Sequence, residues 1–196
     1  RLIPGLKELS SAVHEASQGE TRLFIQLIDF LSIRRRPQAD KFFNRFLQIT
    51  DQHKANLSME DAEEEAVRLR LASLSDEDLD IVLSQRELEA LRVGYRERVT
   101  DVDQEHIQNL PELLPDLFSK AALRAKEANF DGVELHYAHA YTMASFLSKK
   151  NDRKDSYGGS PENRLRLPLE VYEKVRHAVG NDYTVGCRFL SDECIE

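Results

Sequence analysis

At 196 residues, 41% hydrophobic and 32% charged, the chain has the composition of an ordinary globular domain, which excludes disorder and collagen-like bias. A formal net charge of -8 and a pI near 5.4 exclude nucleic acid or an anionic membrane surface as the main partner, because both reward a basic face. No apolar run approaches the roughly 20 residues of a membrane helix, no signal peptide opens the chain, and Cys187 and Cys194 are too few for a disulfide framework, so a reducing cytoplasm is the expected compartment.

Residues 2 to 30 read as a helix followed by a strand. Pro4 and Gly5 mark a turn, Leu6, Leu9 and Val13 recur at helical spacing, Gly19 fits a C′ position, and the apolar run "LFIQL" follows. Pro115 can open a second helix with Leu117, Phe118, Ala121, Ala122 and Ala125 on one face, ended by Asn129 in the left-handed conformation, and the strand Val133 to His136 comes next. A third helix starts at "SPEN", with Ser160 as N-cap and Pro161 at its first position. It carries Leu165, Leu169, Tyr172, Val175 and Val179 as a stripe before Gly180, and Pro168 should kink it. The last strand, "YTVGCRF", ends at Phe189. Helices alternating with apolar strands predict the α/β class, with a parallel sheet covered on both faces.

Between the first two strands lies a long, polar and helical stretch. Three capping-box patterns, Ser58 with Asp61, Ser75 with Asp78 and Ser84 with Glu87, predict several short helices, one of them with an apolar face of Leu88, Leu91 and Tyr95. Such a charge run is ordinarily a solvated helical surface, with a lid or an oligomer contact as the alternative.

Each strand delivers one conspicuous polar residue near its C-terminal end: Gln26, His136 and Arg188. Burying any of them unpaired costs several kcal/mol. Parallel α/β sheets and barrels build their sites at that end of the strands, so the three predict a pocket rich in donors with little negative charge. Side-chain alternation places Glu134 on the face of His136 and Gly186 on the face of Arg188. The stretch "ELHYAHAY" adds His139 and Tyr141. His136 and His139 with a nearby carboxylate could hold zinc, but the spacing lacks a third ligand, and no metal is the reading adopted. The alternatives are polar groups that simply close a strand, or neutral imidazoles donating to a carbonyl or oxyanion with Tyr141 as a proton source.

The segment "GVELHYAHAYTMASFLSKKNDRKDSYGGSPENRLRLPLEVYEKVRHAVG", followed by "VGCRFLSDE", resembles the Old Yellow Enzyme family of FMN-dependent NADH:flavin oxidoreductases. The similarity covers the helix and strand before Asp29 and most of residues 112 to 193. The resemblance implies a (β/α)8 TIM barrel with FMN at the C-terminal ends of its strands, and hydride transfer from NADH or NADPH through the flavin to an activated alkene such as an enone. It also implies that Gln26 and Arg188 bind the cofactor, His136 and His139 hold the substrate carbonyl, and Tyr141 is the catalytic proton donor. "DSYGGSPENR" would shape a loop and helix start.

The sequence departs from the family pattern in places. Ile28, Asp29 and Phe30 replace the usual His-Ala-Gly-Arg-like turn, and Tyr137 and Ala140 stand where "HGAHGY" has small residues, which implies a tighter pocket or a different substrate. Arg34, Arg35 and Arg36 could meet a cofactor phosphate, though a solvated basic turn is the simpler reading. A full barrel takes about 250 residues. This chain, from Arg1 to "SDECIE", therefore reads as an internal piece: residues 1–196 as a partial barrel domain of about three βα units, with a helical insertion at about 34–110. Such a piece would leave its apolar inner face and both sheet edges open and would not hold FMN firmly alone, whereas the longer parent would. The expected partner is a small-molecule substrate, with no nucleic acid and no membrane, and homo-oligomerisation open. The alternative reading is a catalytically inactive, barrel-derived segment acting as an interaction module through its helical insertion.

Overall fold

The computed structural model describes residues 2–194; Arg1, Ile195 and Glu196 lie outside the described residues. In chain order the elements are α1 (Ile3–Ala16), β1 (Phe24–Leu27), the single turn α2 (Ala39–Lys41) running into a π-helical turn at Phe42–Phe46, α3 (Asp51–Asn56), α4 (Glu64–Ala72), α5 (Asp76–Val82) and α6 (Gln85–Arg92). Then come α7 (Glu105–Gln108), α8 (Leu110–Glu127), β2 (Gly132–Tyr137), α9 (Thr142–Leu147), α10 (Pro161–Val179) and β3 (Thr184–Phe189). They fall into two compact units: Ser32–Glu97, and the remainder of the chain on either side of it.

The larger unit is built on a parallel three-stranded sheet in sequential order β1-β2-β3. Because the order is sequential, right-handed crossovers put their helices on the same side. Accordingly Val133, Leu135 and Tyr137 of β2 are buried in one core with Leu114, Phe118, Ala122 and Ala125 of α8 and Leu167, Val171, Val175 and Val179 of α10. The opposite face carries Phe24, 44% exposed, and the exposed Gln26 and Arg188. The expectation of a sheet covered on both faces is therefore corrected. The open face is also polar, not apolar. On that face Gly132 lets the Phe24 ring lie across the sheet where a Cβ would collide with it.

Local chemistry explains most element boundaries. Ser160 accepts from the Asn163 amide at 3.3 Å and Pro161 opens α10, while Asn129, at φ 63°, follows α8 in the left-handed region. Pro4 and Gly5, expected in a turn, lie inside the first turn of α1, where a proline's missing amide hydrogen has no helical partner to lose. Pro115 does not open α8: the helix starts at Leu110 with Pro111 in its first turn and runs on through Pro115. The stripe of α10 is shifted from the expected one, since Leu165 and Leu169 are 44% and 53% exposed, while Leu167 and Val171 take the core positions below Val175 and Val179. Leu117 likewise is 55% exposed.

At the N-terminal end of the strands, Asp131 fastens the sheet to α1. Its carboxylate accepts from the Leu23 amide at 2.8 Å and pairs with His14 at 2.8 Å and Arg22 at 3.1 Å. Those bonds hold its carboxyl below the usual aspartate range, the Leu23 amide contributing most. Ser10, fully buried in α1, donates to the Ala128 carbonyl at 2.6 Å and ties the helix to the end of α8.

Residues Ser32–Glu97 pack around their own core of Phe42, Phe43, Leu47, Val67, Leu71, Leu79, Val82, Leu83, Leu88 and Leu91. Ser75 caps α5, and Ser84 with Glu87 forms a capping box on α6. Ser58 caps nothing: it sits at φ 55°, and α4 starts at Glu64. A further box joins Thr50 to His53 on α3, and His53 Nε2 meets the Glu87 carboxylate at 3.1 Å, so the two boxes share a partly buried contact. The Arg34 guanidinium lies 5.3 Å over the Tyr95 ring and the Arg34 amide donates to the Tyr95 carbonyl at 2.8 Å.

Candidate functional site

The register decides which side chains meet. Gln26 pairs with Glu134 and Glu134 with Gly186, while His136 pairs with Arg188. With side chains alternating across a strand, Gln26, Glu134, His136, Gly186 and Arg188 all fall on the open face, with His136 and Arg188 nearer the C-terminal ends of the strands than Gln26, Glu134 and Gly186. The structure thus brings Gln26, His136 and Arg188 onto one face.

That face is not poor in negative charge, as the donor-rich reading expected. The Glu134 carboxylate stands between the two candidate cofactor residues, accepting from Gln26 Nε2 at 2.5 Å and from Arg188 Nε at 2.8 Å. These contacts, with Arg188 first, hold the Glu134 carboxyl below the usual glutamate range and raise Arg188 further. The alternation that puts Glu134 on the face of His136 already places this carboxylate among the donors.

His136, only 2% exposed, closes β2's polar row. His139 and Tyr141 follow on a short turn in which His139 (φ 57°) and Ala140 (φ 54°) are both left-handed. This turn brings His139 back over the strand end: His139 Nδ1 lies 3.1 Å from His136 Nε2, and the ring centroids are 4.9 Å apart. The Tyr141 ring centroid lies 5.5 Å from His136 and 6.3 Å from His139, with Phe30 on another side at 5.8 Å. So His136, His139 and Tyr141 form one aromatic cluster.

A bond between two imidazole nitrogens needs one N–H and one bare nitrogen, so the pair is compatible with neutral rings and not with two imidazolium ions. His136 is held below the ordinary histidine value by burial first, then by its neighbours His139 and Arg188, with Glu134 opposing. Its Nδ1 is buried without a hydrogen-bond partner, a polar atom for which a ligand or water is the natural complement. Among the described residues no group of three or more His, Cys, Asp or Glu side chains is placed to hold a metal ion.

Tyr137 does not tighten this cluster, contrary to the reading that set it in the pocket. It lies on the helix-covered face, where its hydroxyl donates to the Pro168 carbonyl at 3.0 Å and burial pushes its pKa well up. Ala140 does lie in the turn, but its effect is on backbone conformation.

The "NDRKDSYGGS" segment forms a clasp beside the site. Arg153, whose side chain is fully buried, donates to the Val99 and Ile107 carbonyls at 2.7 and 3.2 Å and grips Asp155 at 2.6 Å, with Phe146 stacked 5.3 Å away. Asn151 donates to the carbonyls of Phe146 and Tyr157. Its partners are all protein groups, and its work is to hold the loop between α9 and α10.

The sequence profile of the NADH:flavin oxidoreductase / NADH oxidase family matches residues 59–196. The chain belongs to that family. Among its relatives, an NADH oxidase of Thermoanaerobacter brockii is 50% identical over 80 residues, covering 40% of this chain and 12% of that protein. The 12-oxophytodienoate reductase 2 of Arabidopsis thaliana is 47% identical over 83 residues, 42% of this chain and 22% of that one. A solved structure of morphinone reductase in complex with tetrahydroNAD is 44% identical, covers 42% of this chain and 22% of that chain, and gives a TM-score of 0.38. The chain spans less than a quarter of the length of each of these family members. The resemblance read from the motifs is thereby borne out.

Proposed function

We propose that this chain carries the central βα units of a (β/α)8 barrel that works as an FMN-dependent, NAD(P)H-driven reductase of activated alkenes, with the cofactor on the open face of the sheet. The observation that carries the reading is the single polar face on which register collects Gln26, His136 and Arg188 next to the His139–Tyr141 turn. A barrel reading is supported by the sequential sheet with helices on one side. It is supported too by an apolar groove of about 540 Å³ along β3 and α10, lined by Leu165, Leu169, Tyr172 and Phe189, which a following βα unit would cover.

The residues present suit a flavin. At Gly186 an added Cβ would meet nothing nearer than 4.0 Å, so a flat ring has room beside the exposed Arg188 guanidinium, with the Gln26 amide on the far side of Glu134. When bound, FMN supplies hydride transfer between the nicotinamide and the alkene. Arg188 provides positive charge toward the ring edge where negative charge gathers on reduction. Gln26 fixes the ring's orientation by hydrogen bonding. His136 and His139, as neutral imidazoles, turn N–H groups to the substrate carbonyl oxygen once it displaces their mutual bond, polarising the alkene. Tyr141, half-buried at the start of α9, delivers the proton to the carbon that does not receive hydride.

The test is a pair of half-reactions on the protein loaded with FMN. Tyr141→Phe is expected to slow oxidation of the reduced protein by an enone while leaving its reduction by NAD(P)H intact. Equal loss in both half-reactions would remove Tyr141 from the proton-donor role.

A further inference from the structure

Glu134 is the least expected member of the open face, and its geometry dictates what its two neighbours offer. A carboxylate only accepts hydrogen bonds. Gln26, directly opposite it on β1, must therefore present its amide nitrogen, as the 2.5 Å contact from Nε2 to Oε1 shows. The carbonyl oxygen of Gln26 then occupies the other arm of the amide, free to accept. Arg188, diagonally across β3, is engaged along its Nε side, at 2.8 Å to Oε1 and with Nη2 3.5 Å from Oε2, which leaves the Nη1 end to donate elsewhere. Gly186, Glu134's direct partner on β3, adds no side chain between them.

We propose that Glu134 is a positioning residue: it fixes the Gln26 amide and the Arg188 guanidinium so that a hydrogen-bond acceptor stands beside a cationic donor. That pattern complements a planar heterocycle carrying an N–H next to a C=O, an imide-type edge such as the pyrimidine portion of a flavin. Without the carboxylate the Gln26 amide can flip and present a donor instead, and Arg188 is released to solvent. The inference rests on the flavin reading of the open face. It adds a distinct requirement, that the pattern is imposed by an anionic side chain which itself never touches the ligand.

The near-isosteric Glu134→Gln tests it in two steps. First, without ligand, the Arg188 Nε–H resonance is followed by NMR together with the titration of His136. In the wild type the Nε–H is expected to be protected from exchange by its bond to Glu134. In Glu134→Gln the protection is expected to vanish, and the His136 pKa to fall further because the one carboxylate that raises it is gone, leaving only the Ala138 backbone contribution. Second, FMN is titrated into the whole barrel that carries this chain, with and without the substitution, and Glu134→Gln is expected to bind about tenfold more weakly. Glu134→Asp keeps the charge but is one methylene short of reaching both partners. It is expected to fall between the two and supplies the same readouts if Glu134→Gln does not fold. An unchanged Nε–H signal with wild-type FMN affinity would overturn the proposal. A wild type that binds no FMN, with the Nε–H still lost in Glu134→Gln, would instead overturn the flavin reading and leave the ordering role of Glu134 standing.

Discussion

The two faces of one three-stranded sheet use the same backbone for opposite purposes. On the covered face Val133, Leu135 and Tyr137 are sealed under α8 and α10, and even the one hydroxyl there is spent on the Pro168 carbonyl. On the open face Gln26, Glu134 and Arg188 keep their polar groups for one another and for solvent, and the buried His136 bonds His139. Burial on one side provides stability, and that stability lets the other side hold a row of polar groups that contributes little to folding. The difference teaches that position along β2 matters less than parity: adjacent residues of "ELHY" belong to different functions.

The comparison is sharpest when one side chain is changed on each side. Leu135→Ala, on the covered face, is expected to lower stability by about 2–5 kcal/mol in chemical denaturation, whereas Gln26→Leu, on the open face, should change it by less than about 0.5 kcal/mol. Equal losses would abolish the division of labour. The two tyrosines come next. Tyr141→Phe should cut alkene reduction by about a hundredfold, about 2.7 kcal/mol in the barrier, with little change in stability. Tyr137→Phe should cost about 1 kcal/mol of stability and leave the rate alone, because it removes only the hydroxyl's bond to the Pro168 carbonyl.

A smaller effect is expected in the turn that joins the faces. Ala140, at φ 54°, occupies a conformation that glycine adopts without strain, so Ala140→Gly should raise stability by about 0.5–1 kcal/mol in thermal or chemical unfolding. The smallest is a pH dependence. His136 is held below the ordinary value of 6.5. Between its folded value and 6.5 the unfolded chain binds more protons than the folded one, so stability rises with pH across that window and is lost as pH falls through it. Denaturation curves at several pH values should show this slope in the wild type and lose that part of it in His136→Asn.

How much of this was legible beforehand varies with how local the cause is. The caps at Ser160, Ser75 and Ser84 and the left-handed Asn129 were readable because each depends on a few adjacent residues. Ser58 misled for the same reason in reverse: its spacing to Asp61 is right, but its backbone is left-handed and no helix follows. Pro115 was misplaced because tertiary packing of Leu114 and Phe118 extends α8 back to Leu110 despite the lost amide. The stripe of α10 slipped because apolar residues occur on two sides of that helix, and only the position of the sheet says which side is core. The candidate site residues were identifiable from strand ends and motif together. The bridge from Glu134 to both Gln26 and Arg188 depends on the register among three strands far apart in sequence, which no local pattern encodes.

The central claim, that the open face is a flavin site, is tested most directly by titrating FMN into the whole barrel that carries this chain and following flavin fluorescence, with Gln26→Leu and Arg188→Leu alongside. The account predicts saturable binding in the wild type that each substitution weakens about tenfold or more, with the fold unchanged by circular dichroism. Absence of binding in the wild type, or binding that both variants retain in full, would contradict it.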